Sequence, residues 1–157
     1  MTAVYEIEYN ARVQDFERAK SSGLIIESVK QLFDHQVYQN IVNLIEEGKT
    51  VLVKVVAADY NNKLLRSSQN WKEDQKIKNA VHRVNVSTAP TARLLRTDGD
   101  GKTKVKLVVT DGNHRLAIDL LEGRSRYVKI VGEFSEEFPH WGFNAVLAPV
   151  RNELNTR

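Results

Sequence analysis

Asp111-Gly112-Asn113-His114-Arg115 brings a carboxylate, a glycine, a carboxamide, an imidazole and a guanidinium together in five consecutive positions. An apolar run, Val105 to Val109, stops just before them, and a helical pattern, Leu116 to Leu121, begins just after. A strand that turns on a glycine into a helix leaves the first N–H groups of the helix without carbonyl partners. The helix dipole adds positive potential at the same place, so such a corner attracts anions. His114 and Arg115 bring donors suited to phosphate, and Gly112 lets a ligand approach the backbone with no Cβ in the way. The expected chemistry is the binding of a nucleotide phosphate by Gly112, Asn113, His114 and Arg115. Asp111, placed just ahead of the helix, is also a candidate N-cap.

The elements that must position this turn are legible on either side of it. Thr91 to Thr97 and Thr103 to Thr110 flank Asp98-Gly99-Asp100-Gly101-Lys102, the pattern of a hairpin with a glycine-rich turn. The second arm feeds the motif. The helix after it runs to about Glu122 and stops at Gly123, and Tyr127 to Val131 follows as a strand rich in β-branched and aromatic residues.

Further upstream, Val4 to Tyr9 alternates as a strand and Ala11 to Lys20 reads as a helix. Ser28 begins a short helix through Phe33, and Val37, Ile41, Leu44 and Ile45 mark an amphipathic helix ending at Gly48. Thr50 to Ala58 reads as a buried strand, Asp59 to Asn70 as a polar loop, Lys72 to Val81 as a helix and His82 to Val86 as a brief strand. The tail from Phe134 to Arg157, with Pro139 and Pro149, is expected to pack irregularly over the core. This order predicts one α+β domain across 1–157, with extra N-terminal helices on a core at 91–132.

Strand, glycine turn, His-Arg, helix, glycine and strand, from Val105 to Val131 and joined to the preceding hairpin arm, resemble the ParB/sulfiredoxin superfamily. Its members carry Gly-x-His-Arg or Gly-x-Arg-Arg at the same strand-to-helix turn, here Gly112-Asn113-His114-Arg115. The resemblance covers Thr91 to Gly132 and implies a ParB/sulfiredoxin-like domain that binds ATP or another NTP. Arg115 and His114 match the family's phosphate-holding residues. In related free serine kinases the aspartate of Asp-Gly-x-His-Arg lies near the acceptor hydroxyl, which implies that Asp111 orients that hydroxyl or holds Mg²⁺. On this resemblance the chain is an NTP-dependent phosphotransferase or hydrolase, with Asp111 and His114 catalytic, or a nuclease whose basic cup holds a DNA phosphodiester. The alternative is a non-enzymatic regulator of phage or plasmid type that binds nucleic acid or a host protein.

Departures from the family narrow the choice. Sulfiredoxins put their reacting cysteine where Asn113 stands, and this chain has no cysteine, so sulfinic-acid reduction, disulfides and cysteine zinc sites are excluded. Partition ParB proteins continue into a helix-turn-helix and a dimerisation domain, which Gly132 to Arg157 is too short to hold. The kinases need a second acidic group upstream; Glu73 and Asp74 are the nearest candidates, but an exposed helix start is the better account of them.

Composition sets wider bounds. A charged fraction of 27% and no long apolar run suit a protein that neither spans a membrane nor carries a signal peptide, and cytoplasmic residence is expected. Net charge is +3, with Lys102, Lys104, Lys106, Arg115, Arg124, Arg126 and Lys129 crowded near the motif. They are either a solvated sheet face or a field that draws in polyanions. Asp98 to Gly101 lacks the closing glutamate of a calcium loop, His35, His82, His114 and His140 lack metal-ligand spacing, and no P-loop is present. Trp71, Trp141 and Phe143 could stack on bases or anchor a loop and a tail, and His140 could reach the pocket.

Overall fold

The computed structural model describes residues 13–56, 64–68, 89–99, 101–134 and 139–155. The expected strand at Val4 to Tyr9, the helix at Lys72 to Val81 and the strand at His82 to Val86 lie outside them, as do Trp71, Glu73 and Asp74.

Alternating apolar residues build one mixed sheet of seven strands, β1 (Leu24–Ile26), β2 (Val51–Val55), β3 (Leu65–Ser67), β4 (Thr91–Gly99), β5 (Lys102–Asp111), β6 (Arg126–Glu133) and β7 (Trp141–Gly142), in the spatial order β1-β2-β6-β4-β5-β3-β7. β4 and β5 form the expected antiparallel hairpin, while β3 runs parallel to β5 and antiparallel to β7. Cross-strand partners share a face. One face therefore carries Val53, Val128, Ala92, Leu94, Leu107, Val109, Leu65 and Ser67.

Four helical elements supply the apolar cover of that face: a 3₁₀ turn (Val29–Phe33), α2 (His35–Glu46), α3 (Asn113–Leu121) and α4 (Asn144–Asn155). Ser28 caps the 3₁₀ turn, and the carboxylate of Asp34 accepts from the N–H groups of Gln36 and Val37 to start α2. On the opposite face α1 (Val13–Ser21) packs Ala19 and Phe16 against Leu52 and Tyr127, and Lys129 reaches Asp15 at 3.3 Å. The mixed α+β class read from the sequence is the class observed.

Two expectations fail. Leu65–Ser67 is a strand inside the segment read as a polar loop. Three residues cannot display a period, and Leu65 becomes strand-forming only because β5 and β7 pair with it on both sides. The tail is not irregular: Asn144–Asn155 is a helix with Pro149 inside it. A proline in a helix costs about 3 kcal/mol; here burial of Val146, Leu147 and Val150 offsets that loss.

Candidate functional site

The turn into α3 begins with a β-bulge. Ala92 pairs with Val109, but Thr91 pairs with Asp111, so Thr110 is the extra residue. A bulge breaks the alternation of the strand and re-aims the side chains after it. Asp111 is thereby carried out of the buried face, and its side chain is 76% exposed. Gly112 follows with φ +77° and occupies the cap position of α3, where no side chain caps the helix. Asp111 is thus not the N-cap, the first of its two expected roles. A Cβ on Gly112 would lie 2.9 Å from Pro90 and 3.0 Å from a terminal nitrogen of Arg115. The glycine is required both by its left-handed backbone and by the close approach of its neighbours.

The first turn of α3 runs against the rules for helix starts. It has no acidic residue, and its side chains include His114 and Arg115, cations or potential cations at the positive end of the dipole. The first hydrogen bond inside the helix runs from Leu116 N–H to the Gly112 carbonyl. The N–H groups of Asn113, His114 and Arg115 precede it, where no carbonyl of the helix can reach them. Arg115 folds back over the glycine, 18% exposed, and its guanidinium comes within 3.9 Å of Asp111, a loose ion pair. His114 is half-buried with Nε2 shielded from solvent.

Asn113 is 3% exposed. Its Oδ1 accepts from the hydroxyl of Ser67 at 2.8 Å, while its Nδ2 is buried with no hydrogen-bond partner among the described residues. An unmet buried amide donor costs about 1–3 kcal/mol. Ser67 ends β3, and Ser68 N–H donates to the Val109 carbonyl, so the carboxyl ends of two parallel neighbours, β3 and β5, meet at the start of α3. Open α/β sheets place ligand crevices at such strand ends. Ser67 was invisible to sequence reasoning because the strand that carries it has no period of its own.

The other side chains near the motif have settled partners. Asp119 accepts from Arg124 at 2.7 Å and from the buried Arg126 at 3.0 Å, and Arg124 also reaches Glu122. With Lys129 held by Asp15, three of the crowded basic residues are ion-paired rather than part of an open positive field. His140 accepts from Arg66 through Nδ1 at 2.8 Å, and Phe143 is fully buried. A cleft elsewhere, about 140 Å³ between Leu32, Phe33, His35, Tyr38, Arg96 and Val105, is smaller than ordinary ligand pockets. Inside it burial, then the hydrogen bond to Glu133, raises the Tyr38 phenol above its ordinary value.

No group of three metal-ligating side chains occurs among the described residues, and no helix there is long and apolar enough to cross a membrane. Asp111 brings one exposed carboxylate to the corner, and Mg²⁺ commonly arrives with the phosphates it neutralises. Compared with known proteins, the chain has no significant match among family models, curated proteins or solved structures.

Proposed function

We propose that the Gly112 corner binds the phosphates of a nucleotide, ATP or another NTP. The observation that carries this reading is the start of α3: no capping side chain, no acid in the first turn, and a guanidinium folded over a left-handed glycine. Each feature costs stability in an empty helix start and contributes once an anion is present. The buried Nδ2 of Asn113 adds a donor at the same place. Phosphate oxygens would accept from the first N–H groups of α3 and from Arg115, a charge-assisted set stronger than neutral hydrogen bonds.

Asp111, exposed beside Arg115, is the group to orient an attacking hydroxyl or water in phosphoryl transfer or hydrolysis. The ParB/sulfiredoxin resemblance of Thr91 to Gly132 points the same way. The pairing of Arg124, Arg126 and Lys129 with acids favours a small anion over a long nucleic acid, which needs many open cations.

Thermal unfolding with ATP, GTP, CTP and inorganic tripolyphosphate, each with and without Mg²⁺, tests the reading. A ligand at 100 times its Kd stabilises by about 2.7 kcal/mol. In a chain of this size that raises Tm by about 5–10 °C. No shift with any of the four, in either condition, overturns it. Loss of turnover in Asp111→Asn with binding retained would identify the catalytic carboxylate.

A further inference from the structure

We infer that Trp141 is the base-stacking residue of this same site, so that the ligand is a nucleoside phosphate rather than a bare polyphosphate; this rests on the phosphate reading above. The argument comes from register. Trp141 on β7 is paired directly with Ser67 on β3, and Ser67 is paired with Val109 on β5. Residues opposite one another in neighbouring strands point to the same side of a sheet. Trp141, Ser67 and Val109 therefore all face the side on which α3 lies, and the hydroxyl of Ser67 touches Asn113 at the first position of that helix.

The indole thus belongs to the same face as the uncapped helix start, two strand spacings from β5, or about 10 Å. That separation is close to the span from the base to the outer phosphates of a mononucleotide. Trp141 is 37% exposed, one of two large hydrophobic residues left exposed among the described residues. The other, Phe33, belongs to the small cleft against β4 and β5 and not to this edge. Phe143, just past the end of β7 and two residues beyond Trp141, is fully buried, so the tail is already anchored and Trp141 is not needed for that purpose.

Between indole and helix lies the Ser67–Asn113 pair, whose buried Nδ2 has no hydrogen-bond partner among the described residues and would gain one in a ribose or α-phosphate oxygen that entered there. The site then reads in order along one face: indole for the base, carboxamide for the middle of the ligand, and the Gly112 corner with Arg115 for the terminal phosphates. Every base has a π-face, and purines offer the larger one, so the platform favours purine nucleotides without dictating one base.

The experiment uses the full chain carrying Trp71→Phe, which leaves Trp141 as its sole tryptophan. ATP and inorganic tripolyphosphate are titrated separately, following indole fluorescence and calorimetric affinity, with Trp141→Ala and Trp141→Phe in parallel. The expected result is quenching by ATP but not by tripolyphosphate. Trp141→Ala should weaken ATP about tenfold or more, the scale of one base–aromatic stack, and Trp141→Phe should restore most of it. Tripolyphosphate affinity should be the same in all three, which also shows that the variants remain folded. If ATP and tripolyphosphate bind equally well, or lose affinity equally in Trp141→Ala, the stacking role is overturned while the phosphate reading stands. If neither ligand binds the parent chain, both fall.

Discussion

The two ends of α3 are built on opposite principles. At its C-terminal end Asp119 is buried and accepts from Arg124 and Arg126, while the Arg124 N–H donates to the Asp119 carbonyl at 2.7 Å. Cations sit at the negative end of the dipole, as a stable helix requires. At its N-terminal end the cap has no side chain, the first turn has no acid, an arginine and a histidine meet the positive end, and a buried amide nitrogen has no hydrogen-bond partner among the described residues. One helix of nine residues thus meets its dipole with compensating ion pairs at one end and with neither a side-chain cap nor a first-turn acid at the other. Local rules broken in one place, on an element anchored elsewhere, mark where a ligand is expected to complete the structure.

The largest effect should come from breaking the anchored end. Asp119→Ala leaves the buried guanidinium of Arg126 without its carboxylate and should cost about 3–5 kcal/mol, a fall in Tm of about 10 °C by calorimetry. Adding Arg126→Met should recover most of that loss, because an apolar pair needs no counter-charge. A Tm change under about 2 °C for Asp119→Ala would erase the contrast between the ends.

Arg115→Ala tests the other end and should separate binding from folding. Tripolyphosphate affinity should fall about tenfold or more, since charge-assisted bonds contribute roughly 1.5–3 kcal/mol. Stability of the empty protein should fall by less than in Asp119→Ala, because the arginine's ion pair with exposed Asp111 is loose. Equal binding by the parent and the variant would remove Arg115 from the site.

Gly112→Ala should do both kinds of damage. The left-handed backbone costs an alanine about 1–2 kcal/mol, and the new Cβ would press on Pro90 and on Arg115. Denaturant unfolding should register that loss, and calorimetry a weaker phosphate interaction. The smallest effect belongs to Arg124→Ala, about 0.5–1 kcal/mol: its side chain is 44% exposed and Arg126 still holds Asp119. A loss as large as that of Asp119→Ala would show that Arg124, not Arg126, is the anchor.

Much of the corner at Gly112 was legible in the amino-acid order. Gly112 stands between an apolar strand and an apolar helix, and only a turn fits there; the structure has its left-handed glycine at that position. What sequence reasoning missed lies across the chain from the motif. Ser67 meets Asn113 from 46 positions away, and no local pattern announces it. The aspartate's orientation was equally hidden, because the bulge at Thr110 is defined by its partner strand and not by its own residues. Arg124, Arg126 and Lys129 looked like part of a positive field, and their partners Asp119, Glu122 and Asp15 changed their meaning.

By itself the amino-acid order determined the hairpin, the glycine turn, α1, α2, α3 and the strands β2 and β6, whereas β1 at Leu24–Ile26 carried no signal of its own. Periodicity and capping act over a few residues, and those residues are adjacent in the chain. Only the tertiary structure decided that Leu65–Ser67 is a strand, that the segment bearing Pro149 is a helix, that Asp111 faces solvent and that Trp141 shares a face with α3. These outcomes depend on which surfaces meet after folding. A three-residue strand or a proline-bearing helix is unfavourable alone and becomes favourable only when distant partners bury it.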